Sequence, residues 1–109
     1  MKLNCVLATI SIFFVIGCSE KADPNEPQGF IQVKGSDTIV NAAQMTAEEF
    51  MKDYPYVFVA ITGGGSGVGV ASLINKTCEV ATMSREIKPK EIELAQKHGV
   101  FPKEYIVAN

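Results

Sequence analysis

The sequence predicts an α/β fold built on a parallel sheet flanked by helices, and three observations carry that expectation. Short apolar runs rich in β-branched residues alternate with helix-length amphipathic segments, the pattern of βαβ units with right-handed crossovers. Val57-Phe58-Val59-Ala60-Ile61 is apolar throughout, as expected of an interior parallel strand covered on both faces. Five of the nine glycines lie between Thr62 and Gly69, between a strand-like and a helix-like run, where a tight turn belongs.

The chain divides into three parts. Residues 1–17 carry Lys2 and then a twelve-residue apolar run from Cys5 to Ile16, broken only by Thr9 and Ser11. That is too short for a bilayer span and suits a signal peptide. The run ends in Val15-Ile16-Gly17-Cys18, which resembles a bacterial lipobox. Cys18 is the expected lipidation site, with plain secretory cleavage near Gly17 or a buried apolar helix as the alternatives. Residues 18–29 hold two prolines and no large apolar side chain after Cys18, the composition of a tether. Residues 30–109 form the folding part.

Within it, Phe30 to Lys34 reads as a first strand. A helix follows, with Ile39, Ala43, Ala47, Phe50 and Tyr54 on one face; Ser36, Asp37 and Thr38 suit its N-cap, and Pro55 ends it. Val57 to Ile61 is the second strand. The second helix runs from about Gly67 to Asn75, burying Val70, Ala71, Leu73 and Ile74. Glu79 to Met83 is a third strand. Pro89 suits the first turn of a third helix, with Ile92, Ala95 and Leu94 inward and Gly99 as its stop. Glu104 to Ala108 reads as a fourth strand.

In open parallel sheets, ligands bind beyond the carboxyl ends of the strands. All three strand-to-helix junctions here carry hydroxyls: Ser36 and Thr38, then Thr62 and Ser66, then Thr82 and Ser84, the last followed by Arg85. Helix-start amides, hydroxyls and a guanidinium form a donor surface suited to a tetrahedral oxyanion. Taken singly, Ser36 and Thr38 are simple N-caps and Ser84 a strand-end hydroxyl; their convergence favours binding.

Other functions fit poorly. The formal charge is −2 and the ten Lys and Arg are scattered, which leaves no footprint for nucleic acid. After processing, Cys78 is the sole cysteine in the folding part, a small buried hydrophobe at a strand start, and no metal-ligand set or cofactor motif stands out. His98 before Gly99 reads as a helix C-cap. The Walker pattern lacks its lysine, while the dinucleotide fingerprint and the nucleophile elbow both fail at Val68. Binding without turnover is the expected class.

Gly35-Ser36-Asp37-Thr38, Ile61-Thr62-Gly63-Gly64-Gly65-Ser66-Gly67-Val68-Gly69 and Ala81-Thr82-Met83-Ser84-Arg85-Glu86, in this order, resemble the N-terminal part of the PstS-like phosphate receptors of bacterial ABC transporters. The resemblance covers about Ile31 to Ala108. It implies part of one lobe of a two-lobed periplasmic-binding-protein fold of the second topological type, inorganic phosphate between the lobes, and delivery to a permease and its ATPase. It places Thr38 and the Ile39 backbone on the ligand, Ser66 with the Gly65 to Gly67 amides on a second side, and Ser84 with Arg85 on a third. Lipid on Cys18 would hold the protein at the cell envelope. Some members carry a proton-accepting carboxylate where this chain has Arg85, which leaves Asp37 as the candidate acceptor. An anion sensor without transport and the front half of a phosphoryl-handling enzyme are the alternatives.

Overall fold

The computed structural model describes residues 23–107. The expected signal peptide, Cys18 and the start of the tether lie outside the described residues, as do Ala108 and Asn109. Six elements follow in the order β1 (Gly29–Gly35), α1 (Val40–Asp53), β2 (Val57–Thr62), α2 (Ser66–Ile74), β3 (Val80–Thr82) and α3 (Pro89–Lys97). The strands form one parallel sheet in the order β2-β1-β3. β1 runs beside β2 from Gly29↔Val57 to Lys34↔Thr62, and beside β3 from Val33↔Val80 to Gly35↔Thr82.

The helices follow from their apolar spacing. α1 packs on β2, while α2 packs on β1 and β3 and also meets α3. Ala47 is buried in α1, and Pro55, which cannot donate to a continuing helix, stands just past its end. The main core unites Val70 and Ile74 of α2 with Ala95 of α3, and Met83, Ile87 and Val100 pack against it. Full burial of a side chain the size of Val70 or Ile74 contributes about 1.5–3 kcal/mol. Gly69 lets α2 approach the sheet: a Cβ there would stand 2.7 Å from the Lys34 carbonyl oxygen and 2.8 Å from the Gly35 Cα. Cys78 is buried just before β3, and burial pushes its thiol pKa up. His98 is the C-cap of α3, with Nδ1 2.9 Å from the Leu94 carbonyl oxygen.

Three expectations need correction. Among the described residues β2 is an edge strand of the sheet, and Phe58 is exposed and stacks on Phe30, its cross-strand partner. Its apolar composition reflects packing against α1 rather than a central position. The expected fourth strand does not form among residues 101–107, where Tyr105, Ile106 and Val107 are exposed. β propensity makes a segment extended, but a strand needs a ladder partner, and among the described residues none pairs with it. Finally, Ala71 and Leu94 face outward, since each lies beside rather than on the buried stripes set by Val70, Ile74 and Ala95.

Candidate functional site

Parallel pairing brings the carboxyl ends of all three strands, and the loops that leave them, to one edge of the sheet. Hydrogen bonds then knit those loops together. The Ser36 amide donates to the Thr82 carbonyl oxygen at 2.9 Å, and the Gly65 amide to the Gly35 carbonyl oxygen at 2.8 Å. The Gly64 amide donates to Asp37 Oδ1 at 2.9 Å. Ser66 Oγ accepts from the Ser84 amide at 3.1 Å and lies 3.3 Å from Ser84 Oγ.

The two helices that start here have open N-termini. α1 begins after Ile39 and α2 after Gly65; neither has a side-chain cap, and neither carries an acid in its first turn. Ser36 and Thr38 are therefore not N-caps. Ser36 is buried, its Oγ accepts from the Thr38 amide at 3.2 Å, and that local turn delays the helix to Val40. Gly65 has φ 100°, a conformation glycine alone adopts without strain. Among the described residues, the amides of Ser66, Gly67 and Val68 have no acceptor. Unpaired first-turn amides carry partial positive charge, so this edge favours an anion.

α3 contrasts with them. Its first turn holds Glu91, whose Oε2 accepts from the Lys88 amide at 2.8 Å while the Glu91 amide donates to the Lys88 carbonyl oxygen at 2.9 Å. The same carboxylate grips Arg85: Nη1 donates to Oε2 at 2.9 Å and Nη2 to Oε1 at 2.7 Å. Nη1 also donates to the Glu86 carbonyl oxygen at 2.9 Å. Arg85 first, then the Lys88 amide, holds the Glu91 carboxyl down at about 2. The guanidinium pKa rises in turn. The ion pair is partly accessible, with the Arg85 side chain 32% exposed.

The expected site residues fall into two groups. Thr38 and Ile39 stand at the start of α1, with Gly65, Ser66 and Gly67 at the start of α2, and Ser84 is bonded to Ser66. Arg85 adjoins them, but its guanidinium is docked on Glu91. Ile39, Ser84 and Arg85 also line an open groove of about 990 Å³ that runs along β3 toward residues 101–107. Two roles were missed from the sequence: the Asp37 carboxylate that holds the glycine loop, and Glu91. The second left a signal, because Pro89 and Glu91 occupy the first turn of α3, where the Glu91 carboxylate reaches back to the Lys88 amide as the acidic half of a capping box does. The assembled groups are donors. They can hold an anion by directed hydrogen bonds. Among the described residues no cluster of three or more His, Cys, Asp or Glu is placed to hold a metal, and no helix is long and apolar enough to cross a membrane.

Comparison with known proteins gives consistent results. The family model described as PBP superfamily domain matches residues 20–107. The phosphate-binding protein PstS of Pseudomonas aeruginosa is 36% identical over 115 residues, covering 94% of this chain and 36% of that protein. A crystal structure of a phosphate-binding protein of a phosphate ABC transporter from Streptococcus pneumoniae superposes with a TM-score of 0.59 at 31% identity, over 62% of this chain and 26% of that one. The crystal structure of a possible phosphate binding protein from Planctomyces limnophilus gives 0.64 at 33% identity, over 66% and 25%. The chain thus spans about a third or less of the length of these relatives. They are named for binding or transport rather than for a reaction, in line with the expectation of a non-enzyme.

Proposed function

The chain belongs to the PBP superfamily, and on that premise we propose that it forms part of one lobe of an extracytoplasmic receptor that captures inorganic phosphate for an ABC importer. The observation that carries this reading is the pair of uncapped, acid-free helix N-termini, α1 and α2, whose leading loops are tied together by the Gly64–Asp37 and Gly65–Gly35 hydrogen bonds at the sheet edge beside Ser66, Ser84 and Arg85. Phosphate is the ligand named for the relatives, and a tetrahedral oxyanion offers enough acceptors for this many directed donors.

In this reading, Thr38 with the Ile39 amide, Ser66 with the amides of Ser66, Gly67 and Val68, and Ser84 with Arg85 form three sides of a phosphate site, while the expected Gly65 amide is spent on the Gly35 carbonyl oxygen. A second lobe closes over it by hinge motion and presents the loaded form to the permease and its ATPase. Lipid on Cys18 tethers the receptor to the membrane through residues 18–29. Calorimetry with inorganic phosphate on the full-length gene product tests the binding. Arg85→Ala should weaken affinity at least tenfold, about 1.4 kcal/mol, and unchanged affinity would remove Arg85 from the site. Cys18→Ser should abolish incorporation of radioactive palmitate; continued labelling refutes the lipid assignment.

A further inference from the structure

We propose that Glu91 is a positioning residue for the anion site: it fills the end edge of the Arg85 guanidinium and thereby leaves the adjacent Nε–Nη2 side edge for the ligand. The inference rests on the phosphate-binding reading and deepens it.

The argument is geometric. A guanidinium is planar, and its five N–H donors form two parallel pairs, an end pair from Nη1 and Nη2 and a side pair from Nε and Nη2. Glu91 takes the end pair, with Oε2 2.9 Å from Nη1 and Oε1 2.7 Å from Nη2. The other Nη1 proton goes to the Glu86 carbonyl oxygen at 2.9 Å. What remains, without an acceptor among the described residues, is the complete side pair. Two parallel N–H bonds of that spacing match two oxygens of a tetrahedral oxyanion.

Glu91 is itself immobilised. Its Oε2 accepts from the Lys88 amide at 2.8 Å, and it sits in the first turn of α3, whose Ala95 is locked in the core. The ring of contacts therefore runs from the core, through α3 and Glu91, to the guanidinium. A long side chain that would otherwise sample many rotamers is fixed before the ligand arrives, so less entropy is lost on binding. The opposing effect is electrostatic, since a carboxylate on Arg85 repels an anion. Orientation dominates in this proposal, because the free side pair lies on a different edge of the guanidinium from the one that the carboxylate occupies.

The test is a double-mutant cycle read by phosphate calorimetry on the full-length gene product. Glu91→Asp keeps the charge and the first-turn position but withdraws the carboxylate by one methylene, so it no longer spans both Nη atoms. It should weaken phosphate binding about tenfold when Arg85 is present and less than twofold in the Arg85→Ala background. Equal weakening in both backgrounds would mean a purely structural role in α3 and overturns the proposal, as does unchanged or tighter binding by Glu91→Asp. Should melting show that Glu91→Asp fails to fold, Glu91→Gln, of native length, enters the same cycle, and its loss must likewise vanish without Arg85. No phosphate binding by the unaltered protein refutes the functional reading itself. Phosphate binding unaffected by Arg85→Ala leaves an anion site intact and removes only the role given to Arg85 and Glu91.

Discussion

Gly69→Ala tests how the packing of α2 controls the site. Alanine favours the helix by about 1 kcal/mol over glycine, so propensity alone predicts stabilisation. Geometry predicts the reverse. The new Cβ would meet the Lys34 carbonyl oxygen at 2.7 Å and the Gly35 Cα at 2.8 Å, both backbone atoms of the central strand. Reaching ordinary contact near 3.4 Å requires the helix to retreat by about 0.6–0.7 Å. Overpacking of this kind costs about 1–3 kcal/mol, which outweighs the propensity gain and leaves a net loss of about 1 kcal/mol. The same retreat draws the Ser66, Gly67 and Val68 amides away from α1, and two hydrogen bonds oppose it: Gly65 to Gly35, and Ser84 to Ser66. Phosphate affinity should fall about tenfold. Thermal melting and phosphate calorimetry on the full-length gene product are the assays. A variant as stable as the parent, with unchanged affinity, would refute the reasoning, because it would mean that α2 lies farther from β1 than described. Gly67→Ala is the control: a Cβ there meets nothing within 4 Å, so stability should hold or rise by about 0.4–1 kcal/mol.

Two more predictions concern the polar contacts. Ser66→Ala removes the oxygen that accepts the Ser84 amide and, in the proposed site, one hydrogen bond to the anion, which is worth about 1.5–3 kcal/mol when a charged group is involved; calorimetry should show affinity lower by at least tenfold with little change in melting, and parent-like affinity would exclude Ser66 as a ligand. The Arg85–Glu91 pair sets an acid limit. Its folded-state Glu91 value of about 2 lies below the ordinary 4.5, so its contribution is fully present above about pH 4.5 and is lost as pH falls toward 2. The melting difference between the parent and Glu91→Gln should therefore be constant from pH 5 to 8 and shrink below pH 4.5; a difference that instead changes between pH 6 and 8 would contradict the assignment.

Local patterns made most of the architecture legible in the sequence. Apolar spacing marked α1, α2 and α3 to within a residue or two, and the glycine run marked the turn before α2. What the sequence did not reveal depended on partners distant in the chain. Nothing local to Val57–Thr62 distinguishes an edge from a centre, because both demand apolar side chains once a helix covers a face. Glu104 to Val107 has the residues of a strand but pairs with no strand among the described residues. Ser36 and Thr38 have the chemistry of caps, yet the buried Ser36 hydroxyl is committed to a turn. Arg85 was legible as a cation at the strand end, whereas its grip by Glu91 depends on how α3 is placed on the core.

The position of β2 has a consequence for handling the molecule. Val57–Thr62 is six residues long, free of charge and of proline, and rich in β-branched and aromatic side chains, while its outer flank belongs to an edge of the sheet. Such a flank is a template on which another chain can add a strand, and segments of this composition seed cross-β stacking. Within the described chain the blunting is slight: the Val59 amide is met by the Met51 sulfur at 3.3 Å. Oxidation of Met51 to the sulfoxide would replace that soft cover with a polar group and unsettle α1 at the point where it shields the strand. Self-association of this chain in concentrated or oxidised samples would therefore begin at the β2 flank left open among the described residues.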